Sequence, residues 1–294
     1  MNDGLHDTVR EFEVHEFDLT LPDGRTLHAY DTGGNGVPVM WHHGTPNVGA
    51  PPRPLFELAN KLGLRWVSFD RPAYGGSTAN PGRSIAAVAD DVAALANEFG
   101  LDRFAVMGHS GGGTHALACA AAMPDRVFAV VSVAGLAPLD AVTASGVDWF
   151  EGMGPTSGAS LRAAQQGVDG RQRFEDDNSD APIDFTARDW AALTGSWGWL
   201  GEVAAAGVSS GIEALIADEV AYVTPWGVDL ADIVAPVLLV HGADDHVVPA
   251  SHSAWLADHI DGAVHWQLSR EGHISSLAAD EHGADDALHW LAHR

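Results

Sequence analysis

The chain has 294 residues, 46% of them hydrophobic and 19% charged, and a formal net charge of −25. So acidic a surface repels phosphate backbones, which excludes nucleic acid as an expected partner, and no apolar run approaches the roughly 18 residues of a membrane span. Cys119 is the single cysteine, so no intrachain disulfide can form, and the stretch Met1–Asp7 lacks the basic and apolar regions of a secretory signal; both favour a cytoplasmic location.

In chain order, Val14–Leu21 alternates as a strand, and Thr26–Tyr30 follows the turn Pro22-Asp23-Gly24. Val37–Trp41 is a short apolar run that ends at His42-His43-Gly44-Thr45-Pro46. A helix is expected over Pro54–Leu62 and a strand over Leu64–Phe69, closed by Asp70-Arg71-Pro72-Ala73-Tyr74-Gly75-Gly76-Ser77, where Asp70 and Arg71 read as a structural turn. Ser84–Phe99 carries Ile85, Val88, Val92 and Leu95 at helical spacing, with Ser84 as its cap. Phe104–Met107 is a buried strand, and Val127–Val133 is the Val-rich run of a strand covered on both faces. Strands alternating with helices predict a parallel sheet with right-handed crossovers.

The rhythm breaks after Pro138. Residues 139–226 show no convincing buried strand, a polar stretch at Arg171–Asp180, and tryptophans at 149, 190, 197, 199 and 226. They read as a helical cap inserted into a core made of residues 1–138 and 227–294. The rhythm resumes with a strand at Val237–Val240, a helix at Ser251–His259 and a strand at Val264–Leu268. An insertion at the C-terminal edge of the sheet would roof a site there.

Between the strand at 104–107 and a helical pattern from Thr114 lies Gly108-His109-Ser110-Gly111-Gly112. This is G-x-S-x-G between strand and helix, the setting of a nucleophile elbow. Ser110 would sit on a strained turn, with Gly108 and Gly112 leaving room for the close approach of strand and helix. The Gly111 backbone N–H, at a helix N-terminus, would point at a developing oxyanion. A second match, Gly207-Val208-Ser209-Ser210-Gly211, follows no β-branched strand; there Ser210 and Glu213 read as a capping box opening a helix over Ile212–Val220.

A serine nucleophile needs a base, and the base an orienting acid. Asp244 and Asp245 follow the strand at 237–240, and His273 follows the strand at 264–268. Parallel strands bring those loops to the same edge as Ser110. His246 abuts the acids too closely in sequence to serve as base, and His265 falls inside a strand. His42 and His43 read as packing groups, and His289 with His293 as a solvated helix face. No metal ligand set and no cofactor motif stand out.

With these motifs in this order, the chain resembles the α/β-hydrolase superfamily, in its serine-nucleophile branch with a helical cap. The resemblance rests on His43-Gly44-Thr45-Pro46, the Asp70–Ser77 segment, Gly108–Gly112, His241-Gly242-Ala243-Asp244-Asp245 and Glu271-Gly272-His273. It implies a mostly parallel twisted sheet flanked by helices. It implies Ser110 as nucleophile, His273 as general base and Asp245, by family spacing, as the acid over Asp244 and Asp140. It gives the backbone N–H of Thr45 as the oxyanion donor beside Gly111. His109, Trp149, Trp197 and Trp199 are the candidate substrate contacts. With no Lys/Arg cluster visible, the expected substrates are small, neutral, partly apolar carboxylic esters. The same machinery serves lactonase, thioesterase, aminopeptidase, carbon–carbon hydrolase and cofactor-free haloperoxidase chemistry, although His43-Gly44-Thr45-Pro46 departs from the His-Gly-Gly-Pro-Gly loop of proline iminopeptidases. A ligand sensor without turnover is the reading from another class.

Overall fold

The computed structural model describes residues 13–294; the stretch Met1–Asp7 lies outside them. β1 (His15–Thr20) and β2 (Thr26–Asp31) form an antiparallel hairpin, and β2 also runs antiparallel to β4 (Leu64–Phe69). From there on the ladder is parallel, through β3 (Val37–His42), β5 (Phe104–His109), β6 (Val127–Val133), β7 (Val237–Gly242) and β8 (Val264–Leu268). The eight strands lie in the order β1-β2-β4-β3-β5-β6-β7-β8, with β5 in the interior. The expected parallel sheet is therefore present, with an antiparallel hairpin at one edge.

Strand alternation divides the interior into two apolar layers. Met40 faces one side of the sheet, and Val39 and Trp41 face the other. On the first side α2 (Val88–Glu98) and α3 (Gly111–Ala122) pack, bringing Val92, Leu95 and Leu117. On the second, α1 (Phe56–Lys61) and α11 (Ala284–Ala292) pack, with Phe56, Leu288 and Leu291 against Trp41 and Trp66. Each such side chain, fully buried, contributes about 1.5–3 kcal/mol of transfer free energy. Because α3 is buried from Gly111 to Ala121, it is apolar all round rather than striped. Cys119 lies in it with no exposure, and burial pushes its thiol pKa up, as suits a small packing group.

Between β6 and β7 run α4 (Leu139–Ala144), α5 (Pro155–Ala164), α6 (Gly167–Asn178), α7 (Ala187–Thr194), α8 (Trp199–Gly207) and α9 (Glu213–Tyr222); α10 (Ser251–His259) follows β7. This segment feeds both layers: Trp149, Leu161 and Tyr222 join the first, and Trp197, Trp199 and Leu200 the second. The polar stretch at 171–180 turns out largely helical. Arg171 lies buried there, paired to Glu219 on α9 at 2.5 Å and to Glu175 at 2.9 Å.

Two expected caps are not made. α2 starts at Val88 with no side-chain cap, and in the turn before it the Ala86 N–H donates to the Trp226 carbonyl at 2.9 Å. α9 starts after Ile212, likewise without a side-chain cap, so Ser210 and Glu213 form no capping box. The capping box occurs instead at Thr186 and Asp189, opening α7. No helix among the described residues is long and apolar enough to cross a membrane.

Candidate active site

The loops that follow β3, β5, β7 and β8 all leave the C-terminal edge of the parallel sheet, where open α/β sheets bind ligands. Ser110 sits between β5 and α3 at φ +57° and ψ −131°, a backbone conformation costly for a residue with a side chain. The turn is fixed on both sides. The Ser110 N–H donates to the Val133 carbonyl at 2.8 Å, and the Ser110 carbonyl accepts from the Gly113 N–H at 2.9 Å. A Cβ on Gly112 would overlap the His42 carbonyl, and one on Gly108 would overlap the Gly112 carbonyl. Both glycines are required by the close approach of strand and helix.

Asp245 and His273 meet across 28 positions of sequence: His273 Nδ1 lies 2.7 Å from Asp245 Oδ2. The other carboxylate oxygen accepts backbone N–H groups from Val247 (2.8 Å) and Val248 (2.9 Å). With Nδ1 so occupied, Nε2 is the nitrogen of His273 left to take a proton. Burial alone would lower the His273 pKa, but the Asp245 charge and hydrogen bond outweigh it and raise the pKa above 6.5. Burial works against the Asp245 carboxylate too, yet His273 and His241 hold it below 3.8. Asp244 is exposed, with its backbone bonded to the Glu271 carbonyl, and Asp140 bonds the N–H of its own neighbour Ala141.

Ser110 makes no hydrogen bond to His273 among the described residues; what joins their loops is His109. Its Nε2 lies 2.9 Å from the His273 carbonyl, and the two rings are 4.9 Å apart. Burial brings the His109 pKa down to about 3, so the ring is neutral and donates through Nε2. Expected as a substrate contact, His109 is 2% exposed and works as a fastener between the two loops.

Asp189, at 1% exposure, holds the same loop from the inserted segment. Its Oδ1 accepts the Ile274 N–H at 2.7 Å and the Ser275 N–H at 2.8 Å, immediately after His273. Its Oδ2 closes the capping box with Thr186. The ring of Phe185 stacks on His273 at 6.4 Å and 19°.

The loop after β3 is held by charge. Arg71, 1% exposed, donates to the carbonyl of His43 and, at 3.2 Å, to that of Gly44. Its backbone N–H donates to His43 Nε2 at 3.0 Å, so the ring proton sits on Nδ1 and donates to the Gly44 carbonyl at 2.8 Å. Burial and the nearby guanidinium keep His43 neutral. Asp70 is structural, accepting the N–H groups of Gly49 (2.6 Å) and Gly76 (3.0 Å) and the Tyr30 hydroxyl (3.0 Å). Arg71 does more than complete that turn: it pairs with Asp218 of α9 at 2.6 Å, and Arg83 joins the same carboxylate at 2.5 Å. Two arginines far apart in the sequence thus converge on one carboxylate, and with side chains nearly fully buried they form an internal ion-pair network, not an exposed basic patch. Burial opposes the Asp218 charge, but the two guanidiniums hold its pKa well below 3.8.

Thr45 and Gly111 are brought together. A Cβ on Gly111 would overlap the Tyr222 hydroxyl and lie 3.3 Å from Thr45 Oγ1. The tryptophans expected to line a pocket are used for packing. Trp149 is 2% exposed; its indole N–H donates to the Ala137 carbonyl at 2.8 Å, and its carbonyl lies 2.9 Å from His252 Nε2. Trp199 packs 6.4 Å from both Trp41 and Trp197. His289 and His293 lie at the surface end of α11, where His293 Nδ1 bonds the His289 carbonyl at 2.6 Å; the described residues hold no group of three or more side chains suited to a metal ion.

A strained Ser110 at a strand-to-helix turn, with an Asp245–His273 pair on the same sheet edge, has clear relatives. Residues 37–280 match the family model described as alpha/beta hydrolase fold. The chain belongs to the α/β-hydrolase family. It is 31% identical over 246 residues to a non-heme chloroperoxidase of Streptomyces lividans, covering 80% of this chain and 84% of that one. It is 29% identical over 272 residues to a bifunctional esterase/perhydrolase of Acinetobacter calcoaceticus, covering 90% and 92%. A bromoperoxidase structure from Bacillus anthracis superposes with a TM-score of 0.71 at 17% identity, covering 95% of this chain and all of that one. The α/β-hydrolase fold thus spans nearly the whole chain, inserted helices included.

Proposed function

We propose that this protein is a serine hydrolase of carboxylic esters with small, neutral, partly apolar acyl groups, its site roofed by the 139–226 cap. The observation that carries the reading is the Asp245–His273 hydrogen bond, on the same sheet edge as a Ser110 held at φ +57°. His273 Nε2 takes the Ser110 proton as Oγ attacks the acyl carbonyl. The backbone N–H groups of Thr45 and Gly111 receive the oxyanion, each such donor contributing about 3 kcal/mol in the transition state. Asp245 stabilises the imidazolium, which then protonates the leaving alcohol. Water, deprotonated by the same ring, releases the acid.

Replacing Ser110 with Ala is expected to abolish both the hydrolysis of short p-nitrophenyl esters and covalent labelling by a fluorophosphonate. Undiminished turnover would overturn the assignment. A second reading is supported by two of the relatives, an esterase/perhydrolase and a chloroperoxidase. In it, hydrogen peroxide replaces water on the acyl-enzyme and leaves as a peracid, with Ser110 regenerated. Peracid production from acetate ester and peroxide, lost in Ser110→Ala, distinguishes it from hydrolysis alone.

A further inference from the structure

We propose that Asp218 is a positioning residue for the oxyanion hole, acting from the inserted helices through Arg71 and Thr45. The inference rests on the reading of Thr45 and Gly111 as the two oxyanion donors. Asp218 has no exposed surface and receives four side chains: Arg71, Arg83, the Tyr74 hydroxyl at 2.9 Å and the Thr45 hydroxyl at 2.5 Å. Two of these bear on the loop before helix α1. Arg71 binds the two carbonyls that immediately precede Thr45, and Thr45 itself is bound by its side chain. The peptide whose N–H would receive the oxyanion is therefore gripped from both sides by one ion pair.

Proton accounting fixes the direction of every bond. The Thr45 hydroxyl has one proton, which goes to Asp218, since an ionised carboxylate can only accept. In the 2.7 Å contact between Thr45 and Tyr222 the donor must then be Tyr222. Arg71 Nη2, at 3.3 Å, fills the remaining acceptor site of Thr45. The Tyr222 hydroxyl in turn stands against Gly111, where a side chain would collide with it. One chain of contacts, Asp218 to Thr45 to Tyr222 to Gly111, thus spans both donors. An amide at 218 would offer hydrogens where the network needs acceptors.

Stability does not account for such an arrangement. A buried ion pair is often no better for stability than apolar side chains of the same volume. What it supplies is a fixed distance between groups that come from three separate parts of the chain, and preorganised donors are what oxyanion stabilisation requires.

The test uses the full-length protein and p-nitrophenyl acetate, with a trifluoromethyl ketone as probe of the tetrahedral adduct. Thr45→Val and Asp218→Asn are each expected to lower kcat by about tenfold to a hundredfold, the range for reacting groups moved by a fraction of an ångström to an ångström. KM should stay within about twofold, as for an interaction made only in the transition state. Ketone affinity should fall in step with kcat, and Thr45→Ser, which keeps the hydroxyl, should recover most of the loss. If Asp218→Asn does not fold, Thr45→Val and Tyr222→Phe decide. A folded Thr45→Val with wild-type kcat and ketone affinity overturns the inference. Turnover that survives Ser110→Ala overturns the catalytic reading beneath it, so the two failures are told apart.

Discussion

His273 carries opposing influences that decide its working pH. Burial pulls its pKa down, and Asp245, hydrogen-bonded at 2.7 Å, pulls it up by more. As the proposed base it would work only when neutral, so kcat/KM is expected to rise with pH along a limb whose midpoint lies above 6.5 in the free enzyme. Asp245→Asn removes the larger raising influence and leaves only the Asp189 charge to oppose burial. The limb should then move to lower pH, while kcat falls on the order of a thousandfold to ten-thousandfold through loss of the oriented tautomer. A pH–rate profile of both enzymes checks the sign; an unmoved limb would show that Asp245 does not set this pKa. The pair was legible in the sequence because each residue follows a readable strand in a familiar order. The fastening role of His109 was not, since nothing local to a Gly-His-Ser turn says that its ring reaches the carbonyl of His273, 164 positions away.

At the scale of elements, the strands were legible because they are short apolar runs between turns, and in the interior strands β5, β6 and β7 burial on both faces leaves little choice. The inserted helices were not. Their apolar stripes are divided between two layers, so no single periodicity stands out: Tyr222 of α9 goes to one layer and Trp199 of α8 to the other. The Ser-x-x-Glu pattern at 210–213 caps no helix while Thr186 and Asp189 form the box, because a four-residue pattern cannot tell which carboxylate has a second task. Asp189 has one, holding the loop after His273. Asp189→Asn is expected to lower kcat, and to lower the His273 pKa slightly by removing a nearby charge. Unchanged kcat together with an unchanged pH limb would show that the loop holds itself. The convergence of Arg71, Arg83 and Asp218 was beyond any local pattern, since only the packing of α9 over the β3 and β4 loops creates it.

For the whole molecule, the histidines set the acid limit. His42, His43, His109, His115 and His252 are all buried, and burial is the leading cause that lowers each pKa below 6.5, to about 3 for His109 and His252 and about 4 for His115. Once unfolded, each ring takes up a proton near pH 6.5 that the folded state refuses. Their stability is therefore full above about pH 6.5 and drains as pH falls, by about 1.4 kcal/mol per pH unit for each ring. His273 has the opposite sign: its contribution is full below 6.5 and fades as pH rises through its raised pKa. Thermal melts between pH 8 and pH 5 should show a steep acid-side loss; a flat Tm over that range would refute it. With a net charge of −25, moderate salt should raise Tm by screening self-repulsion.

The helices between β6 and β7 hold two loops of the sheet edge at two dry points, Asp189 on the loop after β8 and Asp218, with Thr45, on the loop after β3. A chimera that grafted foreign helices onto this sheet would leave Arg71 and Arg83 stranded without a counter-ion, an error of about 3–5 kcal/mol for a broken buried pair. Anyone exchanging the upper half of this enzyme to change its substrate must therefore carry both carboxylates across, or rebuild the lower half to match.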